Sequence, residues 1–281
     1  MKLKIWALTV ITFLLMNVSI ASGECIKTRI MPLGDSITSG VGEVTDDAYM
    51  VGYRQFLWQG LFNSGYAVDF VGSLSMGYAI PDFDSNHEGH GGWTTGMIAD
   101  NVYQWLVYQW LGNNPPDLIL LHIGTNDIGY FDVQTIVSNI NNILNSIDDY
   151  ERNYGREVDV VLAQIINRKQ YSALTTTLNN NLRSLADNRQ AAGDRIILVD
   201  MESALVYPDD LYDLLHPNSS GYAKMANTWS SVLGEMLFTC TDTGNQAPNG
   251  VIDTPSGNVT IYAGESVVFT GTGSDPDEDP P

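Results

Sequence analysis

The stretch Arg29–Gly42 reads RIMPLGDSITSGVG. Its first half suits a strand, with apolar Ile30, Met31 and Leu33. Its second half breaks at Gly34-Asp35-Ser36 into a loop with further glycines, Gly40 and Gly42. Turn residues alone would account for the break. The other reading is that the strand presents Ser36 as a nucleophile, and the rest of the chain decides between the two.

In all, strand-like runs lie at Lys27–Leu33, Ala67–Gly72, Asp117–Ile123, Val158–Ile165 and Arg195–Val199. The last three are nearly continuous aliphatic, as strands buried on both faces require. Helical spacing predicts helices over Tyr53–Asn63, Thr95–Leu111, Val133–Tyr154, Ser172–Ala192 and Gly221–Leu237. This alternation predicts an α/β doubly wound sandwich, with a five-stranded parallel sheet between two helical layers. Composition changes at Thr239. From Asn245 onward the chain is β-like, with Gly, Pro and Ser punctuation. It is too short for a complete sandwich of on the order of 100 residues. The expected organisation is a leader over 1–23, one domain over 24–241, and a linker with an incomplete β module over 242–281. A chain ending this way is expected to be a piece of a longer protein.

The chain has 281 residues, 44% of them hydrophobic, and a formal net charge of −20. A core of useful size follows, and nucleic acid and anionic membrane surfaces are excluded as partners. The N-terminus reads as a secretory signal: a basic Met1–Lys4, an apolar Ile5–Ile20, then small residues Ala21-Ser22-Gly23. The apolar run is short for a membrane span. The expected location is therefore secreted, extracellular or periplasmic. Two cysteines, Cys25 and Cys240, stand at the two ends of the α/β region. In a secreted chain they predict one disulfide, which in the chain-entropy model stabilises by roughly 5 kcal/mol. A lipid on Cys25 is the competing idea, but Glu24 stands where that processing wants a small residue.

In a doubly wound sheet, ligands bind beyond the carboxyl ends of the strands. Ser36 follows the first strand. The loop after the second holds HEGHGGWTT, with Gly92 and Trp93. GTND, Gly124–Asp127, follows the third. DLLHP, with Asp213 and His216, follows the fifth. A serine hydroxyl needs a base to attack at neutral pH. Of the four histidines, His122 lies inside an aliphatic strand and reads as core. His87 and His90 have the spacing of a metal pair, but no third ligand is set by spacing, so neither metal nor cofactor is expected. His216 remains, and Asp213 three residues earlier can hold its Nδ1. The oxyanion of an acyl-transfer intermediate needs aimed donors. The Gly92 N–H, the Asn126 amide and the Ser36 N–H are the candidates. Asp35 reads as structural, bonding within its own turn.

The α/β-hydrolase elbow G-x-S-x-G is not present, because position 38 is Thr38. Instead GDSIT, the Gly92 loop, GTND and DLLHP, in that order, resemble the four blocks of the SGNH/GDSL hydrolase superfamily. The resemblance covers about residues 26–238. Within it, IMPLGDSIT, GYR, DFVGS, HEGHGGWTT and LLHIGTND are similar to carbohydrate esterase family 3. This chain carries Gly91 where that group often has Ser. The resemblance implies a flavodoxin-like SGNH fold. It also implies Ser36 as nucleophile, Asp213 and His216 as its partners, and Gly92 and Asn126 in the oxyanion hole. The tail resembles the opening of a PKD-type immunoglobulin-like module.

Three functions compete. The first is an esterase that removes acetyl groups from a polysaccharide or another small ester. The second is a lipid or lysophospholipid esterase of the same superfamily. The third is a polysaccharide-binding protein without catalysis, which has no need of Ser36, Asn126 and His216 together. Tyr78, Phe83 and Trp93 suit sugar stacking better than a fatty chain, although they can equally pack their loop.

Overall fold

A computed structural model describes residues 27–237, 239, 249–254, 259 and 266–274. Residues 1–26, Cys240 and most of the tail lie outside the described residues, and with them the expected leader and the expected disulfide. The chain divides into two compact units, Ile26–Cys240 and the two terminal segments. In the second unit, strands β8 (Asn249–Thr254) and β9 (Thr270–Ser274) pair antiparallel.

The first unit is a sheet between helices. Its strands are β1 (Thr28–Gly34), β2 (Val68–Phe70), β3 (Leu74–Ser75), β4 (Asn86–Gly89), β5 (Leu118–His122), β6 (Asp159–Gln164) and β7 (Ile196–Asp200). The helices are α1 (Ser36–Ser39), α2 (Tyr53–Asn63), α3 (Thr95–Leu111), α4 (Val133–Tyr154), α5 (Ala173–Ala192) and α6 (Ser219–Leu233). The parallel order β2-β1-β5-β6-β7 is the doubly wound one expected. Alternate residues along each strand feed opposite layers. Ile30, Leu118 and Leu120 pack with α2 and α6. Met31, Leu33, Ile119 and Leu121 pack with α3, α4 and α5. This period of two explains the unbroken apolar runs.

The sheet has seven strands, not the five expected. β2 pairs only Thr28–Ile30 of β1. The buried backbone of Leu33 and Gly34 needs another partner. β4 supplies it, in register at Leu33–Glu88 and Gly34–Gly89, and β3 joins β4 antiparallel. Asn86-His87-Glu88-Gly89 is polar, so no hydrophobic period marks it as a strand. No helix among the described residues is long and apolar enough to cross a membrane.

Candidate active site

Ser36 opens α1 directly beyond β1. A Cβ on Gly34 would lie 2.1 Å from the His122 carbonyl oxygen, so only glycine lets β1 run this close to β5 at the turn. Asp35 caps α1: its Oδ1 accepts from the Ile37 amide at 3.0 Å. Arg54 of α2 is fully buried beneath it. Its guanidinium donates to the carbonyls of Thr38 at 2.9 Å and Ser39 at 3.0 Å, so α1 is held at its far end too. Burial pulls the Arg54 pKa down to about 10, and the residue stays charged at neutral pH. The sequence reading missed Arg54. Its signal was an arginine on the same helix face as Tyr53, Leu57 and Leu61.

β7 lies three strands from β1, roughly 14 Å away at normal strand spacing. The segment from Met201 to Asn218 crosses that distance. Leu211 and Pro217 form a bridge at its tip, and the Tyr212 amide donates to the His216 carbonyl at 2.9 Å. The Lys169 amide donates to Leu214 at 3.0 Å and ties the loop to the end of β6. Asp213 and His216 are thereby carried back to Ser36. Ser36 Oγ lies 2.9 Å from His216 Nε2. His216 Nδ1 lies 2.8 Å from Asp213 Oδ2. With Nδ1–H donated to the carboxylate, Nε2 is left to accept from the hydroxyl. Asp213 Oδ1 also accepts from the amides of Leu215 and His216, both at 2.8 Å. Burial pushes the Asp213 carboxyl up, but these amides and the imidazole outweigh it and hold the group below the usual carboxylate range.

Asn126 and Gly92 follow β5 and β4, the two strands that flank the end of β1. Asn126 Nδ2 donates to the Trp93 carbonyl at 2.8 Å, which leaves its second N–H for another acceptor. Gly92 is exposed with φ +79, and no atom stands within 4 Å of a Cβ placed there. Glycine is needed here for the conformation and not for space. Asp127 braces the same loop by accepting from the Thr95 amide at 3.0 Å and the Thr95 hydroxyl at 2.6 Å.

The other histidines have packing partners. His87 is buried, and its Nδ1 accepts from the Gly89 amide at 2.9 Å. His90 Nε2 meets Glu88 Oε1 at 2.8 Å, and its ring stacks between Trp93 and Trp105 at 4.4 and 4.5 Å. His122 is buried, and burial pulls its pKa down to about 4. Among the described residues no group of three metal-ligating side chains is placed to hold an ion. The aromatics named from sequence divide. Trp93 is committed to His90. Phe83 lies under the Arg54 guanidinium, 5.6 Å from ring centre, and shares a groove with Lys27 at the far end of β1 from Ser36. Tyr78 is exposed.

Asp35 titrates close to neutrality. Burial pushes its carboxyl up from 3.8 to about 7; the Ile37 amide opposes this, and the Asp127 carboxylate adds to it. Between about pH 4 and pH 7 the folded chain holds a proton that the unfolded chain releases. The group's contribution to stability is thus greatest below pH 4. It falls as pH rises through 7, by on the order of 4 kcal/mol in all. Asp35→Asn keeps an oxygen for Ile37 and removes the titration. The melting temperature of the variant minus that of the wild type should rise from pH 5 to pH 8. A difference that stays constant across that range overturns the assignment.

A serine paired with an imidazole and a carboxylate, set at the carboxyl edge of a doubly wound sheet, defines the hydrolase class that attacks acyl groups. Residues 30–229 match the GDSL-like lipase/acylhydrolase family. The chain belongs to this family of carboxylic ester hydrolases. It is 27% identical over 220 residues to a multidomain esterase of Ruminococcus flavefaciens, covering 72% of this chain and 28% of that protein. The chain thus spans less than a third of that relative's length. Among solved structures it resembles a carbohydrate esterase family 3 protein of Talaromyces cellulolyticus. That match has a TM-score of 0.61 at 27% identity, over 74% of this chain and 97% of that one. A family 3 carbohydrate esterase of Clostridium thermocellum gives 0.60 at 28% identity, over 76% and 100%. An acetyl esterase variant solved with acetate gives 0.60 at 27% identity, over 74% and 97%.

Proposed function

We propose that the chain is a secreted serine esterase that removes acetyl groups from a carbohydrate. The observation that carries the chemistry is the unbroken line from Ser36 Oγ through His216 to Asp213, at 2.9 and 2.8 Å. Ser36 Oγ attacks the ester carbonyl carbon and gives its proton to His216 Nε2. Asp213 holds the imidazolium that forms. The negative oxygen of the tetrahedral intermediate takes hydrogen bonds from the Ser36 and Gly92 amides and the free N–H of Asn126. His216 then protonates the departing sugar oxygen, and the acetyl group stays on Ser36. Water, with its proton taken by His216, releases acetate and restores the serine.

Support for the carbohydrate ester comes from the family 3 carbohydrate esterases and the acetyl esterase among the similar structures. Support for secretion comes from the basic and apolar N-terminus. Release of the carboxylic acid is the test, acetate from acetylated xylan and acetylated chitin fragments and fatty acid from a lysophospholipid, measured side by side. Rapid release from one of the acetylated glycans is expected. Preference for the lysophospholipid would replace this reading with the lipid one.

A further inference from the structure

A groove of about 320 Å³ is lined by residues just beyond those that carry the chemistry above, and by none of those residues themselves. Gly40, which closes α1, and Pro217, which follows His216, both line it. The segments that carry the nucleophile and the base therefore run into its wall. The groove is a built feature. Tyr222 of α6 donates its hydroxyl to the Val41 carbonyl at 2.5 Å, and Glu43 Oε2 accepts from the Ser219 amide at 3.0 Å. These bonds fasten the loop after α1 to the start of α6. On the outer side, the Ala79 amide donates to the Ala48 carbonyl at 2.9 Å and brings Ile80 to the wall.

The lining is mixed in a way that selects a ligand. Tyr49, Phe56 and Ile80 offer apolar surface, and the Tyr49 side is open, with the residue 51% exposed. Glu43, Gln55 and Ser219 offer hydrogen-bonding groups in the same groove. A long acyl chain would strip water from these groups and return no hydrogen bond. A pyranose has an apolar face for an aromatic ring and hydroxyls for the amide and the carboxylate. The carboxylate of Glu43 and the net charge of −20 disfavour an anionic sugar. We infer that this groove is a subsite for a neutral sugar ring next to the ring that bears the ester, with Tyr49 as its platform. The inference rests on the carbohydrate-ester reading above.

The test compares kcat/KM on an acetylated xylo-oligosaccharide with kcat/KM on 4-nitrophenyl acetate. It uses the wild type, Tyr49→Ala and Tyr108→Ala. Tyr108 is an exposed aromatic on α3 that does not line the groove. In Tyr49→Ala the ratio of the two values should fall about tenfold, mainly through KM for the oligosaccharide. Tyr108→Ala should leave the ratio unchanged. If the wild type deacetylates the oligosaccharide and Tyr49→Ala does not alter the ratio, the subsite is wrong and the esterase reading stands. If Tyr49→Ala instead lowers the preference for 4-nitrophenyl octanoate over the acetate, the groove holds an acyl chain and the inference is overturned. If the wild type releases no acetate from the oligosaccharide, the carbohydrate reading fails and the subsite falls with it.

Discussion

Ser36→Ala should lower turnover on an acetyl ester by on the order of 10⁴–10⁶, and His216→Ala by a similar factor. Both remove the same event, transfer of the hydroxyl proton across the 2.9 Å between Ser36 Oγ and His216 Nε2. The losses should therefore not multiply, and the double variant should be about as slow as either single one. Asp213→Asn should cost as much as His216→Ala or less. An amide nitrogen facing Nδ1 would donate where the carboxylate accepts, turning the imidazole to the wrong tautomer. A fluorophosphonate probe gives an independent reading, because it should label Ser36 and no other serine. Steady-state kinetics on the four variants and mass spectrometry of the labelled peptide decide the matter. Multiplicative losses, or label elsewhere, would remove Ser36 from the nucleophile's place.

Asn126→Ala should lower kcat by about 10²–10³ and leave KM nearly unchanged, since an oxyanion donor acts on the transition state alone. Asn126 also donates to the Trp93 carbonyl at 2.8 Å, so alanine loosens the turn that carries Gly92. Both effects fall on the same intermediate, and both lower kcat. A loss confined to KM would instead make Asn126 a residue that binds substrate in its ground state.

Much of the site was legible because its residues sit where strands end. Gly34-Asp35-Ser36, Gly124–Asp127 and Asp213-Leu214-Leu215-His216 each follow an apolar run or its loop, so strand order alone gathers them on one edge. Asp213 and His216 are close in the chain, and their contact is local. Ser36 and His216 are 180 residues apart, and their 2.9 Å separation depends on a long loop that spans three strand spacings, from β7 to β1. The Lys169–Leu214 and Leu211–Pro217 pairings that fasten this loop leave no mark in the hydrophobic pattern.

The amino-acid sequence by itself determined the alternation of strands and helices, because strands buried on both faces must be continuously apolar and surface helices must repeat every three to four residues. It also determined which serine, histidine and aspartate stand at strand ends. Tertiary structure alone decided the two added strands. Asn86–Gly89 is polar and becomes a strand only because the end of β1 would otherwise leave buried amides and carbonyls unpaired. It alone decided that Arg54 braces the turn that carries Ser36, since five carbonyls converging on one guanidinium come from separate stretches of chain. It also decided the use of the aromatics: Trp93 packs on His90 while Tyr49 lines the groove that Pro217 helps to form. An aromatic in a loop has no period that records which side it turns to water. Only the packing of neighbouring segments settles it.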